Sequence, residues 1–136
     1  MESPQAIATL KTTLKTTAEQ AQQWFESQSI VLTKEEFGGR SPKGTSPKCG
    51  VYVYYGADAF ALYVGQSGRR IKLRLHDQTS PHAQKPWWSN WTDLRFLAIE
   101  NETDRLVLEL LLILAYAPSY NRKPAGVPVD ALFMSL

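Results

Sequence analysis

Glu109 occupies the setting in this chain that most demands a partner. It is the only charged residue between Leu106 and Ala117. A carboxylate left unpaired on so apolar a helix would cost on the order of several kcal/mol. It therefore needs a cation. Arg105, one helical turn back, would supply an ion pair, whereas a divalent metal would turn the carboxylate into a ligand. Spacing leaves both open, the ion pair being the simpler. Arg69, Arg70, Lys72 and Arg74 place four cations within six residues. Ile71 and Leu75 can dock that stretch as a short helix, with Arg70 and Arg74 on a neighbouring face. Two tyrosines are framed by glycines, in Gly50-Val51-Tyr52 and Tyr63-Val64-Gly65.

These tyrosine triplets sit on short β-like runs, Val51–Tyr55 and Ala59–Val64. Gly56-Ala57-Asp58 joins the runs with turn chemistry suited to an antiparallel hairpin. Alternation puts Tyr52 and Tyr54 on one face, and Val51, Val53 and Tyr55 on the other. So small a hairpin needs other elements packed on it. Ser3-Pro4 opens a helix reaching about Ser27, along which Ile7, Leu10, Leu14, Ala18, Ala21, Trp24 and Phe25 recur at three- and four-residue spacing. That stripe reads as a scaffold helix. Residues 37–49 have loop composition and carry Arg40, Lys43 and Lys48 with no acid between them, fitting either a solvated connector or a flap on phosphates. Ser80-Pro81-His82 ends the basic helix. Trp87, Trp88 and Trp91 could stack on bases, but core or lid packing is the expected use. Leu94–Ile99 reads as a third strand. Asn101 caps the next helix, with Asp104 in its first turn, and Pro118 ends it. Its apolar surface on every side except Glu109 predicts a buried helix.

The chain is read as one compact domain: a scaffold helix and basic loop over 1–48, a core over 49–124, and a tail over 125–136. Val127, Val129, Leu132, Phe133 and Leu136 would pack that tail on the core. A length of 136 residues suffices for an independent core. A net charge of +2 does not by itself demand a polyanionic partner, so local clustering must decide. Cys49 is the only cysteine, which excludes an intrachain disulfide and points to a reducing compartment. The longest apolar run is too short to span a bilayer. A soluble cytoplasmic protein without a membrane partner is the expectation.

In chain order, the blocks resemble the GIY-YIG nuclease family. The two glycine-framed triplets resemble its name-giving motifs, with their tyrosines eleven residues apart. Arg74-Leu75 resembles the arginine-leucine pair of its first helix. Glu109, Leu112-Ile113, Pro118 and Asn121 resemble its closing glutamate-to-asparagine signature. The resemblance runs from Gly50 to about Asn121. It implies an α+β fold, a three-stranded antiparallel sheet flanked by helices, here with an extra N-terminal helix. It also implies a DNA endonuclease that hydrolyses phosphodiesters with Mg²⁺ or Mn²⁺. Carried over, Glu109 would bind the ion and Arg74 would contact the scissile phosphate. Tyr52 would activate or orient the attacking water, Tyr63 would be the second active-site phenol, and Asn121 would support the site by hydrogen bonding.

The chemistry suits this set. One carboxylate plus substrate oxygens and waters matches the habit of Mg²⁺, and a fixed guanidinium is a charge clamp for the transition state. Arg69, Arg70, Lys72, Lys43 and Lys48 would add phosphate contacts. One position departs from the family: four residues after Arg74, where a histidine or tyrosine is usual, stands Gln78. At about 100° per residue, His76 lies roughly 200° around the helix from Arg74. A second register pairs Lys72 with His76 at the family spacing. His76 is therefore one candidate base, with His82 beyond it and Tyr52 as the other. The missing base gives an alternative, a non-catalytic nucleic-acid-binding module that retains the fold. A third reading is structural, with the tyrosines packing the sheet and Glu109 paired to Arg105. A homodimer would suit cleavage of both strands.

Overall fold

A computed structural model of the chain describes residues 3–34, 49–68 and 85–121. In order these form helix α1 (Ser3–Gln28), strand β1 (Ile30–Thr33), strand β2 (Gly50–Tyr55), a 3-10 turn (Ala57–Ala59), strand β3 (Ala61–Ser67), strand β4 (Asp93–Ala98) and helix α2 (Glu102–Tyr116). The strands make one antiparallel sheet in the order β1-β4-β2-β3. The antiparallel sheet with flanking helices and an N-terminal helix is as expected, with one strand more than three. That addition, β1, pairs with β4 from Ile30↔Phe96 to Thr33↔Asp93. Its β-branched Ile30, Val31 and Thr33 favour extended backbone, and only Leu32 of its four residues is buried, as befits an edge.

The alternation in β2 divides the interior into two cores. Tyr52 and Tyr54 face one side, where Leu32, Trp87, Trp91, Leu94 and Phe96 close over them. Val51, Val53 and Tyr55 face the other, against Phe25 of α1, Leu108 and Leu112 of α2, and Ala61 and Val64 of β3. Every residue of β2 is buried because the strand is central and both its faces are covered. Full burial of each large apolar side chain contributes about 1.5–3 kcal/mol. The hairpin register is Tyr52↔Gly65, Val53↔Val64 and Tyr54↔Tyr63, with an irregularity between Tyr54 and Tyr55 where Leu62 is accommodated.

The two helices differ from expectation in what they cover. α1 keeps its stripe, but only Ala18 and Phe25 are buried, while Ile7, Leu10 and Leu14 are exposed. At 1.5 Å per residue, α1 is about 39 Å long and α2 about 23 Å, so the shorter helix cannot cover the longer one. α2 buries Arg105, Leu108 and Leu112 along one flank, and Leu114, about half a turn around the helix from Arg105, against Ala18 of α1. Leu106, Val107 and Leu110 are exposed, so the expectation of burial on all sides fails. The caps follow the sequence. Asn101 Oδ1 accepts from the Asp104 N–H at 3.0 Å, and Ala117 turns left-handed (φ 46°) before Pro118.

Candidate active site

Three successive residues of β3 are each engaged by a different side chain. Val64 is held by Asn121, whose Oδ1 accepts from the Val64 N–H at 2.8 Å and whose Nδ2 donates to the Val64 carbonyl at 2.7 Å. The preceding backbone runs alongside the same strand, with the Ser119 N–H on the Ala61 carbonyl and the Tyr120 N–H on that of Leu62. Asn121 thus finishes an imitation of a fifth strand with its side chain.

Gly65 faces the phenol of Tyr52. A Cβ added there would lie 2.5 Å from the Tyr52 hydroxyl, so the second glycine exists to let this ring cross β3. Gly50 has a different reason: its Cβ would meet the Leu97 carbonyl at 2.1 Å. Tyr52 is fully buried. Its ring lies 6.4 Å from that of Tyr63, which stacks on Trp87 at 5.3 Å and 16°. Trp87 and Trp91 are buried against Tyr54, at ring distances of 4.7 and 5.0 Å. They pack the core and have no face to offer a base.

Gln66, back on the helical face, accepts through Oε1 from Arg105 Nε at 3.0 Å. Arg105 Nη1 donates to the carbonyls of Ile99 and Glu100. Three of the five N–H groups of this buried guanidinium therefore go to neutral oxygens, not to the carboxylate that sequence spacing proposed for it. Glu109 is half-buried one turn further along the flank of α2 that carries Arg105 and Leu112. Tyr52 and Tyr63 lie on the aromatic face of the sheet, and α2 packs on the other. Arg74, His76, Arg69, Arg70, Lys72, Lys43, Lys48 and His82 lie outside the described residues.

Sequence reasoning missed two polar ties. One is Arg105 to Gln66. Its trace was a cation in the first turn of a helix, where the dipole disfavours positive charge. The other lies at the far end of the hairpin. There Tyr55 Oη donates to Tyr116 Oη at 2.6 Å, which donates to Glu26 Oε1 at 2.8 Å. Burial pushes the Tyr55 phenol up to about 12. Tyr116 is raised too, by burial first and then by its hydrogen bond with Tyr55.

A metal fits this donor set in one way only. Among the described residues, no group of three or more His, Cys, Asp or Glu side chains could cage an ion. A single half-buried carboxylate suits Mg²⁺, which keeps waters and takes one or two carboxylates together with phosphate oxygens. No helix among the described residues is long and apolar enough to cross a membrane.

Comparison with known proteins accords with the geometry. The model of the UvrC-like GIY-YIG domain matches residues 48–122. UvrABC system protein C of Bacteroides fragilis is 33% identical over 78 residues, covering 54% of this chain and 13% of that protein. The same-named protein of Geotalea daltonii is 31% identical over 77 residues, 53% of this chain and 12% of that protein. That of Methanothermobacter thermautotrophicus is 28% identical over 85 residues, 60% and 14% respectively. The chain thus spans only a small part of the curated relatives it matches. No solved structure gives a significant match.

Proposed function

The chain belongs to the family of UvrC-like GIY-YIG domains, and from that membership we propose that it is a DNA endonuclease hydrolysing phosphodiester bonds with Mg²⁺ or Mn²⁺. The observation that carries the proposal is the convergence on β3, where Asn121, Tyr52 and Arg105 hold three consecutive residues beside the helix that presents Glu109. In this reading Glu109 holds the divalent ion, which when bound supplies positive charge to the phosphate oxygens. Arg74 clamps the scissile phosphate, where a planar guanidinium matches two oxygens at once. Tyr52 orients the attacking water. Because a phenol ordinarily titrates near 10, Tyr52 takes up the proton of that water only if a cation beside it stabilises the phenolate. Tyr63 supplies the second phenol. Asn121 acts at one remove, by fixing the backbone of β3 at Val64, next to Tyr63.

A second reading, a non-catalytic nucleic-acid-binding module, draws on two observations. Gln78 stands where the family has a titratable side chain, and Tyr52 is fully buried. The two readings part on one assay, in which supercoiled, branched and single-stranded DNA are incubated with the protein across Mg²⁺, Mn²⁺ and Ca²⁺. Nicking with Mg²⁺ or Mn²⁺ that falls by at least about 10²-fold in Glu109→Gln, with an unchanged melting temperature, is the expected result. Tight DNA binding without cleavage under any of these ions would establish the module instead.

A further inference from the structure

We infer that Arg105 is a positioning residue that sets Glu109 against the exit of β3, and that Gln66 is the contact through which it does so; this rests on the nuclease reading above. Arg105 is 7% exposed and joins three segments: its own helix, the Ile99–Glu100 approach to that helix, and β3 through Gln66. Stability does not account for it. A cation in the first turn of α2 sits at the positive end of the helix dipole, and a buried charge contributes no more than a well-packed apolar residue of its size. What the guanidinium provides is a planar fork that fixes the relative position of its acceptors.

The placement of those acceptors gives the fork its consequence. Two residues after Gln66, a Cβ on Gly68 would lie 3.1 Å from Arg105 Nη2, so the chain leaves the sheet pressed against this side chain. Six residues further on is Arg74. In the other direction, one helical turn leads to Glu109. A single side chain thus holds the start of the segment carrying the phosphate clamp and the helix carrying the metal ligand. Neither Arg105 nor Gln66 touches substrate in this scheme. If the fork is lost, Glu109 remains but its place relative to the exit of β3 is no longer fixed, and a shift of about 1 Å in such a geometry can cost up to about 10²-fold in rate.

The test compares Arg105→Ala, Arg105→Lys, Gln66→Leu and Gln66→Glu in the full chain, at a temperature where circular dichroism shows each to be folded. Arg105→Ala and Gln66→Leu are expected to lower kcat by about tenfold or more with KM for DNA within about twofold. Arg105→Lys, a point charge without the fork, falls between these and the unsubstituted protein. Gln66→Glu keeps the acceptor and holds kcat within about threefold of the unsubstituted protein, which ties the loss in Gln66→Leu to the bond with Arg105 and not to a change of side-chain packing. The double variant Arg105→Ala/Gln66→Leu is no slower than Arg105→Ala alone. An unchanged kcat in Arg105→Ala, or losses that multiply in the double variant, would overturn the inference. Hydrogen exchange at the amides of residues 66–68 reads the same tie without catalysis, and Arg105→Ala should speed it by at least about tenfold. If the unsubstituted protein cleaves no DNA, the nuclease reading falls. Unaltered exchange in Arg105→Ala would then refute the tie itself, and accelerated exchange would keep Arg105 as the organiser of that exit.

Discussion

The β2–β3 hairpin is fastened at both ends, by different chemistry. At its turn, Asp58 and Ala59 adopt left-handed backbone (φ 64° and 60°), and a series of neutral phenols, Tyr55 to Tyr116, ends on Glu26 and ties the sheet to both helices. At its exit, an asparagine amide, a phenol over a glycine and a guanidinium act on Val64, Gly65 and Gln66 in turn. The turn end fastens elements that the apolar core already brings together, since Tyr55 and Tyr116 both belong to the cluster around Val53 and Leu112. The exit end is buried as well, Val64 among the same apolar residues and Tyr52 among the aromatic ones, but it adds directional contact: each side chain there specifies where one residue of an edge strand lies. One end holds the fold together, and the other aims side chains. Substitutions at the exit should therefore cost more activity than their loss of stability explains, and substitutions at the turn should do the reverse.

The largest effect is expected from Gly65→Ala. The new methyl group would collide with a phenol that is fully buried and cannot swing clear. Overpacking of this sort costs about 1–3 kcal/mol, and the phenol must leave its place over β3. Cleavage by the folded fraction should fall by more than about tenfold, measured beside a urea titration of the same sample. Gly50→Ala is the control, because its Cβ meets the backbone carbonyl of Leu97 instead of a phenol; it should lower stability more while reporting nothing about aim. If Gly65→Ala kept full activity, the exit end would be only a second fastening.

Asn121→Ala comes next. It removes both bonds to Val64 but leaves the backbone bonds from Ser119 and Tyr120 to Ala61 and Leu62, so the segment should stay beside β3 with its last anchor gone. Two hydrogen bonds of this sort are worth about 1–3 kcal/mol together. Asn121→Asp sharpens the point: it keeps an acceptor for the Val64 N–H, loses the donor to the Val64 carbonyl, and sets a negative charge beside that oxygen. Denaturant midpoints should rank the natural residue above Asp and Ala, with cleavage falling further than those midpoints predict.

The sequence carried what repeats and lost what meets at a distance. Period-two alternation in Val51–Tyr55 correctly assigned both faces of β2, and Asn101 and Pro118 correctly bounded α2, because such features depend on neighbours in the chain. The fourth strand was missed although Ile30-Val31-Leu32-Thr33 is rich in β-branched residues; a four-residue run directly after a long helix is too short for periodicity to register. The apolar wrap of α2 suggested burial on every side, yet composition cannot say how many neighbours a helix will have. Tyr52, Glu109 and Asn121 could be named from their motifs, whereas Gln66 could not. Nothing in its own surroundings marks it, since its role depends on a guanidinium 39 positions away.

The smallest effect belongs to the turn end and tests its half of the comparison. Tyr116→Phe removes one donor to Glu26 and one acceptor from Tyr55, together worth about 1–3 kcal/mol at neutral pH, and should leave cleavage unchanged. Its distinctive mark is alkaline. Tyr55 is held up to about 12 by burial, and Tyr116 is raised as well, so both phenols keep their protons in the folded state at a pH where the unfolded chain, titrating near 10, releases them. The folded state then binds more protons than the unfolded one, and stability must fall as pH rises. The contribution is complete below about pH 10 and is lost progressively from there towards 12. Urea midpoints measured from pH 8 to 11.5 should bend downward above 10 in the natural protein and less steeply in Tyr116→Phe, since one of the two phenols that release protons on unfolding has gone. Equal slopes would mean that the Tyr55–Tyr116 pair is not what joins this end of the hairpin to the helices.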